Sequence, residues 1–525
     1  MKTWKTNLEE TKQRYINWWN HKGIILSMWE HFQEGVKPHA DIAPPAPARD
    51  LSQKWFDPQW RAEYLDWYVA HSSLMADMLP VANTQLGPGS LAAILGGVFE
   101  GGEDTIWIHP DPNFNDEIVF NPEHPNWLLH KELLKACKAK ANGNYFVGMP
   151  DLMEGLDVLA ALKGTDMVLL DTVMQSEVLE QQMQQINDIY FKVFDELYDI
   201  IREGDEMAFC YFSSWAPGKM SKLQSDISTM ISQDDYRRFV QPFIREQCQK
   251  IDYTLYHLDG VGAMHHLPAL LEIEELNAIQ WTPGVGEPQG GSPKWYDLYK
   301  KILAGGKSVM ACWVTLEELK PLLDHIGADG VHLEMDFHNE REVEQAMRII
   351  EEYTGSSSSV SADVHTNQPV GEQDNAQESI RIREEKSQEE DRMKPLYDAI
   401  VAGKLEPAVE VTNDSNAAGV LPQDIINGYM ITAMGEVGQR FQDGKAFVPQ
   451  LLMAGRAMKG ALELLKPLLA GNASATIGKI VIGTVKGDLH DIGKNLVASM
   501  LEGCGFEVIN IGIDVTCDKF VEAVK

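Results

Sequence analysis

A polar stretch from Gly355 to about Glu390, GSSSSVSADVHTNQPVGEQDNAQESIRIREEKSQEE, constrains this chain more than any other feature. It is Ser-rich and nearly free of large apolar residues. Such a segment cannot bury enough surface to fold alone and reads as a linker. It leaves about 354 residues on one side and about 135 on the other, so each block must bury its own core.

The first block, residues 1–354, alternates short apolar runs with longer amphipathic ones. The candidate strands are Ile24–Trp29, Tyr145–Gly148, Met207–Phe212, Tyr253–Leu258, Asn277–Trp281, Ser308–Trp313 and Gly330–Met335. Helical stretches such as Asp234–Lys250 and Leu316–Ile326 lie between the later ones. A repeated strand-then-helix order at this length predicts an α/β fold of the (β/α)8 barrel type, with an open doubly wound sheet as the alternative.

The second block opens with four periodic segments, Met393–Ala402, Leu405–Ala418, Leu421–Phe441 and Val448–Leu469, joined by short connections. That pattern predicts a four-helix bundle over 391–472. The period then changes. Lys479–Gly483 and Phe506–Asn510 read as buried strands flanking a loop and helix, a β-α-β beginning over 473–525.

Charge narrows the partners. There are 78 acidic against 45 basic residues, a formal net charge of −33, which repels phosphate backbones and anionic membrane surfaces. Neither nucleic acid nor membrane is expected as a partner. The opening Met1-Lys2-Thr3-Trp4-Lys5 leads into no apolar core of a secretory signal, and no spanning run is visible. Six scattered cysteines without CxxC spacing speak against a disulfide framework, so a reducing cytoplasm is the expected location.

The loop after the first strand of the C-terminal block reads Gly487-Asp488-Leu489-His490-Asp491-Ile492-Gly493. This D-x-H-x-x-G pattern, within GTVKGDLHDIGKNLVASMLEGCGFEVINIGIDV, resembles the cobalamin-binding domains of methionine synthase-like corrinoid proteins. The preceding MGEVGQRFQDGKAFVPQLLMAGRAMKGALELLKPLL resembles their helical cap. The resemblance implies a flavodoxin-like (Rossmann-type) domain in which His490 ligates cobalt from below. Asp488 would hold the other ring nitrogen and tune the imidazole. Asp491 and Gly493 would lie against the cofactor, Gly493 letting the corrin tail approach the backbone. Phe447 and Val448 would shield the reactive face, although both also suit plain bundle core. Relatives continue with further strands carrying S-x-L and G-G elements. Here Lys525 ends the chain after about two of the usual five strands, so the expected domain is partial. Either the sequence is a fragment or this domain cannot bind its cofactor as the family does.

The stretch QSDISTMISQDDYRRFVQPFIREQCQKIDYTLYHLDG resembles the methyltransferase branch of the uroporphyrinogen decarboxylase superfamily, over about 200–350. Porphyrinogen decarboxylation itself is not expected. The arginine-bearing loop that would hold the acidic side-arms is replaced by KGIILSMWEHFQEG. The resemblance implies a barrel-mouth metal, usually zinc, with an H-x-C ligand pair. This chain has His257-Leu258-Asp259, so aspartate replaces cysteine and hardens the site. Asp226 falls where the family carries an acidic residue and is a further catalytic candidate. The ends of later strands offer Glu287, Cys312, His332, Glu334 and Asp336. Of these, Cys312 and Glu334 are expected to complete the ligand set, although Cys312 also suits a small buried residue.

The resemblances together imply a cobalamin-dependent methyltransferase using zinc and a corrinoid. It would move a methyl group from an O- or N-methylated small molecule to Co(I) of the fused domain. A second methyltransferase would accept the group, and a reductive activator would keep the corrinoid active. The alternatives are transfer from methylcobamide to a thiol, and a corrinoid carrier or sensor with an inert barrel. Aromatic density near the N-terminus (Trp18, Trp19, Trp29, Phe32, Trp55, Phe56, Trp60, Tyr64, Trp67 and Tyr68) suits core and oligomer packing for most of these residues, or a wall for a methoxylated aromatic or quaternary amine.

Overall fold

The computed structural model describes residues 4–103, 105–110, 114–153, 155–354, 393–469, 478–486, 494, 497–498, 501 and 506–525. The chain divides into two compact units, with the sequence boundary at 358/359.

The strands of the first unit are β1 (Ile24–Ser27), β2 (Val81–Ala82), β3 (Val98–Gly101), β4 (Ile106–His109), β5 (Phe146–Met149), β6 (Met207–Phe209), β7 (Ser214–Ala216), β8 (Met220–Leu223), β9 (Tyr253–Asp259), β10 (Ala278–Thr282), β11 (Ser308–Val314) and β12 (Val331–Met335). A six-stranded sheet runs β1-β12-β11-β10-β9-β8, with every neighbouring pair parallel. A second sheet runs β2-β5-β6-β7, parallel except where β7 folds back antiparallel on β6. β3 and β4 form a separate hairpin. The fold is thus mixed α/β with parallel sheets.

Parallel strands covered on both faces read as continuous apolar runs, and β1, β5 and β12 are buried at every position. Helices supply that cover. Ser176–Ile201 buries Leu179, Met183, Ile186, Tyr190, Val193, Leu197 and Ile201 at three- and four-residue spacing, one stripe of an amphipathic helix. Leu316–Ile326 begins at a capping box, in which Thr315 and Glu318 satisfy each other's backbone N–H groups.

Five of these strands, β2, β3, β4, β7 and β8, lie outside the candidate runs. β2 is only two residues long, and β8 (MSKL) carries a buried lysine that breaks the apolar run. The Met207–Phe212 run is strand only to Phe209 and then turns through Tyr211–Ser213, where Phe212 takes φ 62°. The single helix expected over Asp234–Lys250 is two helices, Gln233–Phe239 and Gln241–Lys250. Pro242 sits in the first turn of the second, where its missing N–H costs nothing.

The second unit begins with helix 393–401, followed by Leu405–Ala417. The stretch expected as one helix over Leu421–Phe441 is interrupted. Pro422–Ile425 passes through a π-type turn, Ile426–Met430, into Ile431–Gln442. Helix Val448–Leu469 completes this set. Met393, Leu396, Ile400, Ile425, Met430, Met458 and Leu465 form its core. Beyond it, β13 (Lys479–Ile482) pairs parallel with β14 (Glu507–Asn510), and helix Cys517–Val524 follows.

Candidate active site

β9 ends in His257-Leu258-Asp259. Alternation along a strand puts His257 and Asp259 on one face. Asp226 opens the short turn Asp226–Met230 that follows β8, the strand beside β9. One ligand atom from each of Asp226, His257 and Asp259 lies within 4.8 Å of the others. Among the described residues this is the only group of three or more His, Cys, Asp or Glu side chains so gathered.

The imidazole is held in place. His257 Nδ1 donates to Gln280 Oε1, from the paired position on β10, which leaves Nε2 with the free lone pair. Burial, helped by the nearby charge of Lys222, lowers the His257 pKa to about 3, so the ring is neutral through the physiological range. A neutral imidazole anchored through its second nitrogen is the usual form of a metal-ligating histidine.

Asp226 is anchored from below. The Asp157 carboxylate accepts the backbone N–H groups of Asp226, at 2.8 Å, and of Ile227, at 3.0 Å. Gln224 Nε2 donates to Asp226 Oδ2 at 2.9 Å. Asp226 keeps solvent access, yet protein surrounds its carboxyl group closely. That desolvation, then repulsion from Asp157, holds its pKa well above the carboxylate range, against the pull of Lys222. Burial likewise raises Asp157, to about 6, although its two backbone bonds oppose the shift. Lys222 is a buried counter-charge. Its Nζ lies 2.5 Å from Asp151 Oδ2 and also donates to Gln224 Oε1.

Cys312 and Glu334 stand outside the gathered group. Gln280 Nε2 donates to Thr282 Oγ1 at 2.7 Å and to Cys312 Sγ at 3.1 Å, so Gln280 lies between His257 and the thiol. Glu334 pairs with Cys312 in the β11–β12 register and is 1% exposed. Its carboxyl faces the thiol, and neither oxygen meets another hydrogen-bond partner among the described residues. Neither residue belongs to the gathered group. The register brings them behind Gln280 rather than into the group. Just beyond this pair the β11–β12 register shifts at Trp313, which takes φ 54°. Glu287 is ion-paired with Lys294, His332 Nε2 meets Ser27 Oγ at 2.6 Å, and Asp336 is exposed.

Burial pushes the Glu334 carboxyl up to about 8 from an ordinary 4.5. The folded chain therefore holds a proton that the unfolded chain has released between those values. This group's contribution to stability falls as pH rises through that window and is level outside it. Compared with Glu334→Gln, the wild type should lose about 1.4 kcal/mol of stability per pH unit within the window. Urea titrations followed by tryptophan fluorescence measure this, and a difference that does not change with pH would refute the buried, protonated carboxyl.

Asp151, Asp157, Lys222 and Gln280 had no signal in the sequence pattern. Each does its work through a partner distant in sequence. The available hint was a polar side chain inside an otherwise apolar strand, as at Lys222 and Gln280.

In the second unit Val448 is buried at the start of its helix and Phe447 just before it is half-buried, its N–H donating to Gln450 Oε1 at 2.9 Å. Leu451 packs with Val437 and Ala454. Asp488, His490, Asp491 and Gly493 lie outside the described residues.

Comparison with known proteins bears on this second unit. Residues 393–466 and 478–525 each match a family described as a B12 binding domain. The chain carries a corrinoid-binding domain. Trimethylamine corrinoid protein 1 of Methanosarcina mazei is 44% identical over 130 residues, 24% of this chain and 60% of that protein. The dimethylamine corrinoid protein of Methanosarcina barkeri is 43% identical over 138 residues, 26% of this chain and 64% of that protein. The chain thus spans about 60% of the length of the curated relatives it matches. Among solved structures, the methanol:cobalamin methyltransferase complex MtaBC from Methanosarcina barkeri shares 30% identity over 28% of this chain and 58% of that one, with a TM-score of 0.23. Among the described residues no helix is long and apolar enough to cross a membrane.

The residues present fit the groups that the sequence resemblances imply. One neutral imidazole nitrogen and two carboxylates form a nitrogen–oxygen donor set suited to zinc or a similar divalent cation. On the corrinoid side, a half-buried aromatic at the head of a buried helix is a fitting apolar cover.

Proposed function

We propose that the chain is a corrinoid-dependent methyltransferase that takes a methyl group from an O- or N-methylated small molecule. The observation that carries the reading is the pairing, in one chain, of a corrinoid-binding domain with the Asp226/His257/Asp259 group. In this reading residues 1–354 form the catalytic domain, 355–390 a linker, 391–472 the cap and 473–525 the Rossmann-like part. The two sheets of the first unit are arcs of one (β/α)8 barrel. Two hydrogen bonds next to β1 support that closure: Asp77 N–H donates to the Leu26 carbonyl, and Leu26 N–H donates to Asp77 Oδ2 at 3.0 Å.

His257 and Asp259 would hold the metal, and Asp226 would complete the set. Gln280 fixes the tautomer of His257, with Cys312 and Glu334 behind it. His490 would ligate the corrinoid, Asp488 would orient that imidazole, Asp491 and Gly493 would lie against the cofactor, and Phe447 and Val448 would shield it. When bound, the corrinoid supplies the nucleophile that receives the methyl group, and the metal polarises the atom that loses it. The protein's own work is to bind and orient the substrate and to keep water out. A methyltransferase on the acceptor side and a reductive activator are its partners, in the cytoplasm.

The test uses the full chain. It is mixed with hydroxocobalamin, desalted, and assayed for retained corrinoid and zinc. The reading expects about one corrinoid and one zinc per chain, with the histidine-ligated visible spectrum lost in His490→Ala. Retention without zinc would leave a carrier with an inert first unit. No retention in the wild type would overturn the fused reading.

A further inference from the structure

The first unit contains a cavity of about 440 Å3, within the usual range for a small-molecule site. Trp29, Trp55, Tyr64, Tyr68 and Tyr211 contribute to its wall, together with Arg61. Tyr211 links it to the ligand cluster, its ring meeting the His257 ring edge-on at 6.3 Å.

Arg61 is the feature that needs explaining. It sits in the first turn of helix Pro58–His71, which starts where the Asp57 side chain accepts the N–H groups of Gln59 and Trp60. The arginine is only 7% exposed. Its Nη2 donates to the carbonyl oxygens of Asn83, at 3.2 Å, and Gln85, at 3.1 Å, and the guanidinium lies 5.2 Å from the Trp55 ring centroid. These contacts offer dipoles and a ring face but no compensating charge. Among the described residues no carboxylate comes within 4.0 Å of it. Burial lowers its pKa to about 10, which leaves it charged at neutral pH. A buried, unpaired charge is costly to keep. In the wall of a cavity the cost is offset when a ligand brings the anion, and the planar guanidinium matches a carboxylate.

We infer that this cavity binds a small methylated aromatic carboxylate, with its carboxylate on Arg61, its ring among the aromatic walls and its methylated end toward Tyr211 and His257. The inference rests on the methyl-transfer reading above and names the substrate class of that site. The flat aromatic faces suit a ring. The same positive charge disfavours a simple quaternary amine, which those faces alone would accept. Glu30 also lines the cavity, but it is exposed at the surface and forms no ion pair with Arg61.

The test is binding to the full chain freed of metal and corrinoid, so it is read apart from activity. Isothermal titration calorimetry compares para-methoxybenzoate with methoxybenzene, which lacks the carboxylate, and with trimethylglycine, which lacks the ring. Para-methoxybenzoate should bind at least about tenfold more tightly than either. In Arg61→Gln its advantage over methoxybenzene should vanish, with thermal melting confirming that the variant folds. The wild-type ligand series decides the matter even if the variant does not fold. Equal affinity for the acid and methoxybenzene, tighter binding of trimethylglycine, or no binding of the acid would each overturn the inference. Selective binding of the acid by a chain that retains no corrinoid would support the pocket while overturning the fused reading.

Discussion

On the proposed methyl-transfer reading, His257→Ala should leave the chain without bound metal and slow demethylation by at least about 100-fold. The ring supplies the only nitrogen donor of the gathered group. Its burial keeps it neutral, so a proton does not compete with the metal at that nitrogen. Asp226 is different, because its surroundings raise its carboxyl pKa. Metal binding favours the ionised carboxylate, so zinc affinity should rise with pH as Asp226 ionises. Gln280→Ala, which frees the imidazole without removing it, should weaken metal affinity by about 10- to 100-fold. Metal stoichiometry after dialysis against a weak chelator, at several pH values, checks all three. Full zinc retention in His257→Ala would end the metal-centre reading.

Lys222→Met should be the most destabilising single change near the site, at about 3–5 kcal/mol. Lys222 and Asp151 are each 2% exposed, and they meet at 2.5 Å. Removing the lysine strands a buried carboxylate, and it also takes away the positive charge that restrains the pKa of Asp226. The pair itself is worth far less than the cost of breaking it, because both ions were desolvated to form it. Lys222→Met/Asp151→Leu should therefore recover much of the loss. All 13 tryptophans precede residue 355, so tryptophan fluorescence during urea unfolding reports on the first unit alone. A single variant as stable as the wild type would show that the buried pair is relaxed in solution.

Much of the molecule was legible in the chain itself. The Ser-rich stretch after Gly355 marked a division, because composition limits what can be buried. Apolar runs and helical stripes located most strands of the parallel sheets, because strands covered on both faces leave a continuous apolar signature. His257 and Asp259 could be paired from spacing, since residues two apart on a strand share a face. Local pattern could not reach β2 and β8, one too short and the other interrupted by Lys222. Nor could it show that Pro242 restarts a helix rather than decorating one.

The charge and contacts of the site belong to the fold. Asp226 joins His257 only because β8 lies beside β9. Cys312 and Glu334 meet only because β11 and β12 pair in the register that sets them opposite each other. Asp157, Lys222 and Arg61 become informative once burial strips water from them and leaves each dependent on a partner far along the chain. Periodicity and spacing are properties of neighbours in sequence, so they carry over from the chain to its elements. Desolvation and convergence depend on which distant segments pack together, and those appear only in the tertiary structure.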